Sequence, residues 1–121
     1  MANRIVWCDI PVTDLDRAIG FYSAILGEAV KKVEFSNMKL GMLPDSDTDV
    51  SGCLYVPSGD NKPATEGPLV YFNCLGRLDA AEAEVEIHGG KVLQAKHQIG
   101  PYGFRVVALD SEGNRIALHS K

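Results

Sequence analysis

Residues 5–27 read IVWCDIPVTDLDRAIGFYSAILG, and residues 69–90 read LVYFNCLGRLDAAEAEVEIHGG. Both stretches run in the same order: a short apolar strand, a turn, an acidic helix start, an amphipathic helix and a glycine stop. Setting Trp7 on Val70 brings Leu15 onto Leu78, Asp16 onto Asp79 and Ala18 onto Ala81. Identities are few, so the pattern carries the case for a duplicated module more than the letters do. Two copies of one strand–helix–strands unit can flank a shared cavity, and function would then lie in what lines that cavity.

In the first copy, residues 4–12 are rich in Ile, Val and Trp and end at Pro11, where a missing N–H is tolerated. Thr13 or Asp14 is the expected helix cap, with Asp14 and Asp16 at the positive end of the helix dipole. Leu15, Ala18, Ile19, Tyr22, Ile25 and Leu26 recur at helical spacing as the buried stripe, and Gly27 is the stop. Strands are expected at 29–35 and 38–43 around a turn at Ser36–Asn37, then a polar loop at 44–49 and a strand at 52–57. Residues 58–68, SGDNKPATEGP, have no packing pattern and form a linker. In the second copy, a strand at 69–75 precedes a helix at 77–88 with Leu78, Ala81 and Val85 on one face. Strands at 91–98, 103–109 and 115–119 follow, the last two joined by the polar turn Asp110–Asn114. The expectation is an α+β fold of two βαβββ modules: about 1–57, a linker at 58–68, and about 69–121, together one domain. A length of 121 residues suits a single core.

Bulk numbers narrow the function classes. Net charge is −4, and no basic run exceeds Lys31–Lys32, which argues against nucleic acid or an anionic membrane as partner. Three widely spaced cysteines, Cys8, Cys53 and Cys74, read as reduced thiols of a cytoplasmic protein. Strand-like sequence begins within a few residues of Met1, so no signal peptide is expected. No apolar run approaches the roughly 20 residues that span a bilayer.

The segments IPVTDLDRAIGFYSAILG, GGKVL and GPYGFRVVALDSEGNRIAL resemble the first strand–helix signature, the sixth strand and the closing hairpin of the vicinal oxygen chelate superfamily. That superfamily includes glyoxalase I, bleomycin-resistance proteins and extradiol dioxygenases. The resemblance covers nearly the whole chain. It implies an open, U-shaped sheet with helices outside and a ligand on the concave face. It also implies a divalent metal held by His and Glu, leaving open positions for substrate oxygens. Matched to this chain, the ligand positions fall on Trp7, Val70 and Ala117, with Leu54 and Tyr55 in the end of the first module. Trp, Val and Ala cannot ligate a metal, so no metal cofactor is expected.

Strand parity fills the cavity differently. If Trp7 faces inward, Ile5 and Asp9 do too, while Val6, Cys8 and Ile10 face the helices. By the same rule Val70, Phe72 and Cys74 face inward, with Arg115, Ala117 and His119 from the last strand. The candidate ligand-binding residues are Trp7, Asp9, Tyr55, Phe72, His97, Tyr102, Arg115 and His119, a mostly apolar set with a few polar handles. Each has a plainer alternative. Trp7 could be core filling. Asp9 could be ion-paired with Arg115 or Arg105, and His119 could be solvent-exposed. His97 and Tyr102 flank Gly100–Pro101, a loop able to close over the cavity, and could be ordinary loop residues. His88 reads as a helix C-terminal cap. Three functions follow in order. The first is a metal-free binder of an aromatic or amphipathic small molecule, the second an enzyme of the superfamily with an unusual metal site or acid–base chemistry, and the third a regulatory partner. The resemblance also implies a homodimer.

Overall fold

The computed structural model describes residues 3–44 and 49–121. Among these, the first module holds β1 (Trp7–Pro11), α1 (Leu15–Leu26), β2 (Lys31–Phe35), β3 (Met38–Met42) and β4 (Ser51–Tyr55). The second holds β5 (Val70–Asn73), α2 (Leu78–Ile87), β6 (Lys91–Gln98), a 3₁₀ turn at Gly100–Tyr102, β7 (Phe104–Leu109) and β8 (Arg115–Ser120). Each module makes one mixed four-stranded sheet, in the orders β1-β4-β3-β2 and β5-β8-β7-β6. The first strand of each module runs parallel to its last, and the other pairs are antiparallel. The sheets are open, and the expected α+β architecture with its repeat is present. The polar loop expected at 44–49 falls mostly on residues 45–48, outside the described residues.

Local chemistry sets the elements. Asp14 caps α1 by accepting from Arg17 N at 3.0 Å, and Gly27 ends the helix in the left-handed region at φ 71°. Ser36 and Asn37 both have positive φ, which matches the twist of the β2–β3 hairpin they join. The helix stripe differs from expectation at three residues: Phe21 is fully buried, whereas Ile19 and Leu26 are only partly so. His88 does close α2: its backbone N–H donates to Glu84 O, and its ring lies 2.9 Å from the Glu84 carboxylate.

One apolar cluster runs through both modules. From the first it takes Ile10, Val12, Phe21, Tyr22, Ile25 and Leu54, and from the second Phe72, Leu78, Val85, Val106 and Leu118. Each large side chain so buried contributes about 1.5–3 kcal/mol. Tyr22 sits at the seam, its ring 5.2 Å from Phe72 and its hydroxyl donating to Asp110 Oδ2 at 2.5 Å. Around Asp110 the β7–β8 turn is fully bonded. Its Oδ1 accepts from Glu112 N and Asn114 N, while Asn114 Nδ2 donates across to Pro11 O at 2.8 Å.

The cluster also corrects the parity of β5. Phe72 and Cys74 are buried against α1, with the Cys74 thiol directed at Ile25 O, and Val70 packs on the same core. Tyr71 and Asn73 take the opposite, concave face. The superposition of Trp7 on Val70 is therefore right for the helices and one residue out for the strands. Eight positions separate Trp7 from Leu15, the first residue of α1, but only seven separate Tyr71 from Leu78, the first of α2. The second turn is shorter because the chain reverses through Gly76 at φ 77°. A slip of one residue moves every side chain of a strand to the other face.

Candidate functional site

On the first sheet the concave face carries Trp7 and Asp9 from β1 and Cys53 and Tyr55 from β4. The alternation is fixed by Ile10 and Leu54, which lie in the core between them. Asp9 is not ion-paired with Arg115 or Arg105. Its Oδ1 accepts from Trp7 Nε1 at 2.9 Å and from the Cys53 thiol at 3.4 Å. Burial first, and then the hydrogen bond to Asp9, push the Cys53 thiol up to about 11. Tyr55 OH accepts from Asn61 Nδ2 at 2.9 Å, so the linker folds back onto β4. Ile5 and Val6 lie before β1 and are both exposed, so parity does not apply to them.

The second sheet holds a cleft of about 970 Å³. Its walls are Tyr71 on β5, Ile99, Pro101, Tyr102 and Gly103 around the 3₁₀ turn, Arg105 on β7, and His119 and Lys121 at the end of the chain. Strand register builds it. His97, Arg105 and His119 stand opposite one another on β6, β7 and β8. Two register shifts in β6 before His97 mark bulges, which re-aim a strand locally. Arg105 Nε donates to His97 Nε2 at 3.0 Å, and Arg105 Nη1 donates to Tyr71 OH at 2.6 Å. An acceptor at Nε2 requires the His97 proton on Nδ1, which points at Ala95 O at 2.8 Å. His119 Nε2 lies 2.7 Å from Tyr102 O, tying the 3₁₀ turn to β8, and its ring meets Tyr71 edge-on at 6.1 Å.

Of the eight candidate residues, Tyr102 and His119 line this cleft and His97 supports it from β6. Trp7, Asp9 and Tyr55 belong to the concave face of the other sheet. Arg115 lies on β8 away from the cleft lining, and Phe72 is core, a correction that follows from the β5 register. Parity holds for β8: Arg115, Ala117 and His119 alternate with Ile116 and Leu118, which are in the core. Tyr71 and Arg105 are the residues sequence reasoning missed. A signal for Tyr71 was present, because Val70-Tyr71-Phe72-Asn73-Cys74 alternates apolar with polar, and that alternation puts Tyr71 outward.

A profile of the Glyoxalase/Bleomycin resistance protein/Dioxygenase superfamily matches residues 4–118. The chain belongs to this superfamily. Solved structures of the superfamily share its fold. A glyoxalase/bleomycin resistance protein from Albidiferax ferrireducens T118 is 18% identical with a TM-score of 0.78, over 98% of this chain and 99% of that one. A glyoxalase-related enzyme from Fulvimarina pelagi is 11% identical with a TM-score of 0.72, over 98% and 88%. Lactoylglutathione lyase from Agrobacterium tumefaciens is 16% identical with a TM-score of 0.63, over 99% and 95%. No curated protein matches the sequence significantly.

As a glyoxalase-superfamily protein, the chain can be tested for fit to the divalent ion the resemblance implies. With β5 corrected, the concave-face residues at the ligand positions are Trp7, Tyr71 and Ala117, with Tyr55, whose hydroxyl accepts from Asn61, at the end of the first module. The Trp7 indole N–H is a donor and is spent on Asp9; the Tyr71 hydroxyl accepts from Arg105; Ala117 has no ligand atom. Among the described residues no three His, Cys, Asp or Glu side chains converge. These residues do not fit a metal ion. Among the described residues, no helix is long and apolar enough to cross a membrane.

Proposed function

We propose that this superfamily member is a small-molecule-binding protein that works without a metal, and that the Tyr71–Arg105–His119 cleft is its binding site. The observation that carries the reading is the cleft itself. It is a concave, mainly apolar hollow lined by a guanidinium, a phenol and an imidazole: Arg105 is bonded to Tyr71 and to His97 behind it, and His119 is bonded to the Tyr102 carbonyl. That is the usual constitution of a ligand pocket. The side chains at the ligand positions support the metal-free part, because an indole N–H, a phenol bonded to Arg105 and a methyl group are not the His and Glu donors of the family's metal site.

An enzyme using Asp9 as acid–base has weaker support, since Asp9 is already engaged by Trp7 and Cys53. The homodimer belongs to this reading as well, supported by exposed Trp7, Val33 and Met38 on the first module. A cytoplasmic setting is supported by the three free thiols.

Two measurements test the proposal together. Elemental analysis of tag-free protein, before and after dialysis against Zn²⁺, Ni²⁺, Mn²⁺ and Fe²⁺, is expected to give metal at background. Titration with aromatic compounds is expected to give saturable binding that EDTA leaves unchanged. Near-stoichiometric metal would overturn the metal-free reading, and binding abolished by chelator would do the same.

A further inference from the structure

Among the described residues, Arg105 is held in the cleft by neutral groups alone. Of the five N–H groups on a guanidinium, one on Nε goes to the His97 ring and one on Nη1 goes to the Tyr71 hydroxyl. Nη2 and the second N–H of Nη1 have no protein acceptor among the described residues, and no carboxylate pairs with Arg105 there. Two neutral acceptors fix the fork in place and leave its full charge uncompensated. A guanidinium so arranged keeps N–H groups for an anionic ligand.

The rest of the lining agrees. It includes no Asp or Glu side chain, although the chain as a whole carries a net charge of −4. The Tyr71 hydroxyl, having accepted from Arg105, keeps its own proton to donate. Beside these polar groups stand flat or apolar walls: the rings of Tyr71 and Tyr102, and Ile99 and Pro101. The backbone carbonyl of Tyr102 is bonded to His119, so this wall is anchored to β8.

We infer that the cleft selects an aromatic carboxylate. The carboxylate is received by the free N–H groups of Arg105, with the Tyr71 hydroxyl as a further donor, and the ring lies against Tyr71, Tyr102 and Pro101. His97 is a positioning residue: it takes the Nε–H of Arg105 and turns the remaining N–H groups toward the ligand. This inference rests on the reading of the cleft as a small-molecule site and adds the charge and shape of what it holds.

The test is a matched-pair titration of the intact protein. Benzoate, 2-naphthoate and 9-anthracenecarboxylate are compared with their primary amides, by calorimetry and by chemical shifts of the Tyr71, Tyr102 and Arg105 resonances. At least one carboxylate is expected to bind about tenfold or more tighter than its amide, as hydrogen bonds to a charged group require. Arg105→Gln should bring the pair to within about twofold by weakening the acid and sparing the amide, while Arg105→Lys should restore part of the difference. Tyr71→Phe is the second variant should Arg105→Gln fail to fold, and it should weaken the carboxylate several-fold with little change for the amide. Equal binding of acid and amide, with shifts at the cleft, would overturn the anionic preference and leave the small-molecule reading standing. No shift at the cleft with any pair at millimolar concentration would remove both.

Discussion

Arg17 Nε lies 2.8 Å from Glu112 Oε2, joining side chains 95 residues apart. The Glu112 carboxylate also accepts from Thr13 N, Thr13 Oγ1, Asp14 N and Ser111 Oγ at 2.8–2.9 Å. One side chain from the β7–β8 turn of the second module therefore satisfies the loop and helix start of the first. Its side chain has no solvent exposure. Burial alone would raise its carboxyl pKa, but hydrogen bonds from Arg17, Ser111, Asp14 and Thr13 outweigh burial and hold it well below the usual carboxylate range.

Glu112→Gln is expected to lower stability by about 2 kcal/mol, because charge-assisted bonds become neutral ones and one oxygen becomes a donor facing donors. Urea unfolding at pH 7 checks the magnitude. The pH dependence has a definite sign. A carboxyl depressed in the folded state contributes stability that is complete above its unfolded value of about 4.3 and is lost as pH falls toward its folded value. The gap between wild type and Glu112→Gln should thus be widest above about pH 5 and should narrow in acid. A gap independent of pH from 7 to 3 would contradict the assignment.

Tyr22→Phe should cost about 1–3 kcal/mol without altering ligand binding. The Tyr22 hydroxyl is buried and donates to Asp110 Oδ2 at 2.5 Å, so its loss leaves that oxygen with Asn114 Nδ2 as its remaining partner. Burial first, then the Asp110 charge, push the Tyr22 phenol well above its ordinary value. An ultraviolet titration should accordingly show one tyrosine failing to ionise with the others until the protein unfolds.

Gly103 sits at φ 99°, ψ −142°, a backbone conformation open essentially to glycine alone. A Cβ there would also meet Ser120 O. Gly103→Ala is expected to lower stability by about 1–3 kcal/mol and to weaken binding in the cleft, since this residue lines it. Thermal unfolding and the matched-pair titration read the two effects separately.

Cys53 should resist alkylation. With its thiol pushed up to about 11 by burial and by Asp9, the reactive thiolate at pH 8 is roughly a hundredfold scarcer than for a free cysteine. Burial raises Cys74 and Cys8 as well. Iodoacetamide labelling read by mass spectrometry should leave Cys53 largely unmodified in native protein and modify it rapidly in urea.

Much of the architecture was legible before any coordinates. The 3.6-residue spacing from Leu15 to Ile25, the Asp14 cap and the Gly27 stop are local features, and local hydrogen bonding decides them. Parity on β1 and β8 was legible for the same reason, because Ile10 and Leu118 could only face the helices. On β5 the alignment of the two modules and the local alternation Val70, Phe72, Cys74 point to opposite faces, and the alternation is the one the core follows. The turn through Gly76 is one residue shorter than its counterpart, and no identity between the repeats marks the deletion. The site was less legible still. His97, Tyr102 and His119 stood out as polar or aromatic, but Arg105 read as a partner for Asp9.

The sequence by itself determined the two βαβββ repeats, the helix limits, the family and the absence of His or Glu at the strand positions where the family's ligands fall. Each of these is written in spacing or identity along the chain. Tertiary structure alone decided that Asp9 pairs with Trp7 and Cys53, that Glu112 binds the first module to the second, and that Arg105 stands between His97 and Tyr71 without a counter-ion among the described residues. Those pairings depend on which strands lie side by side and in what register. Whether a charge is matched by its neighbours is a property of distance in space, and distance along the chain does not encode it.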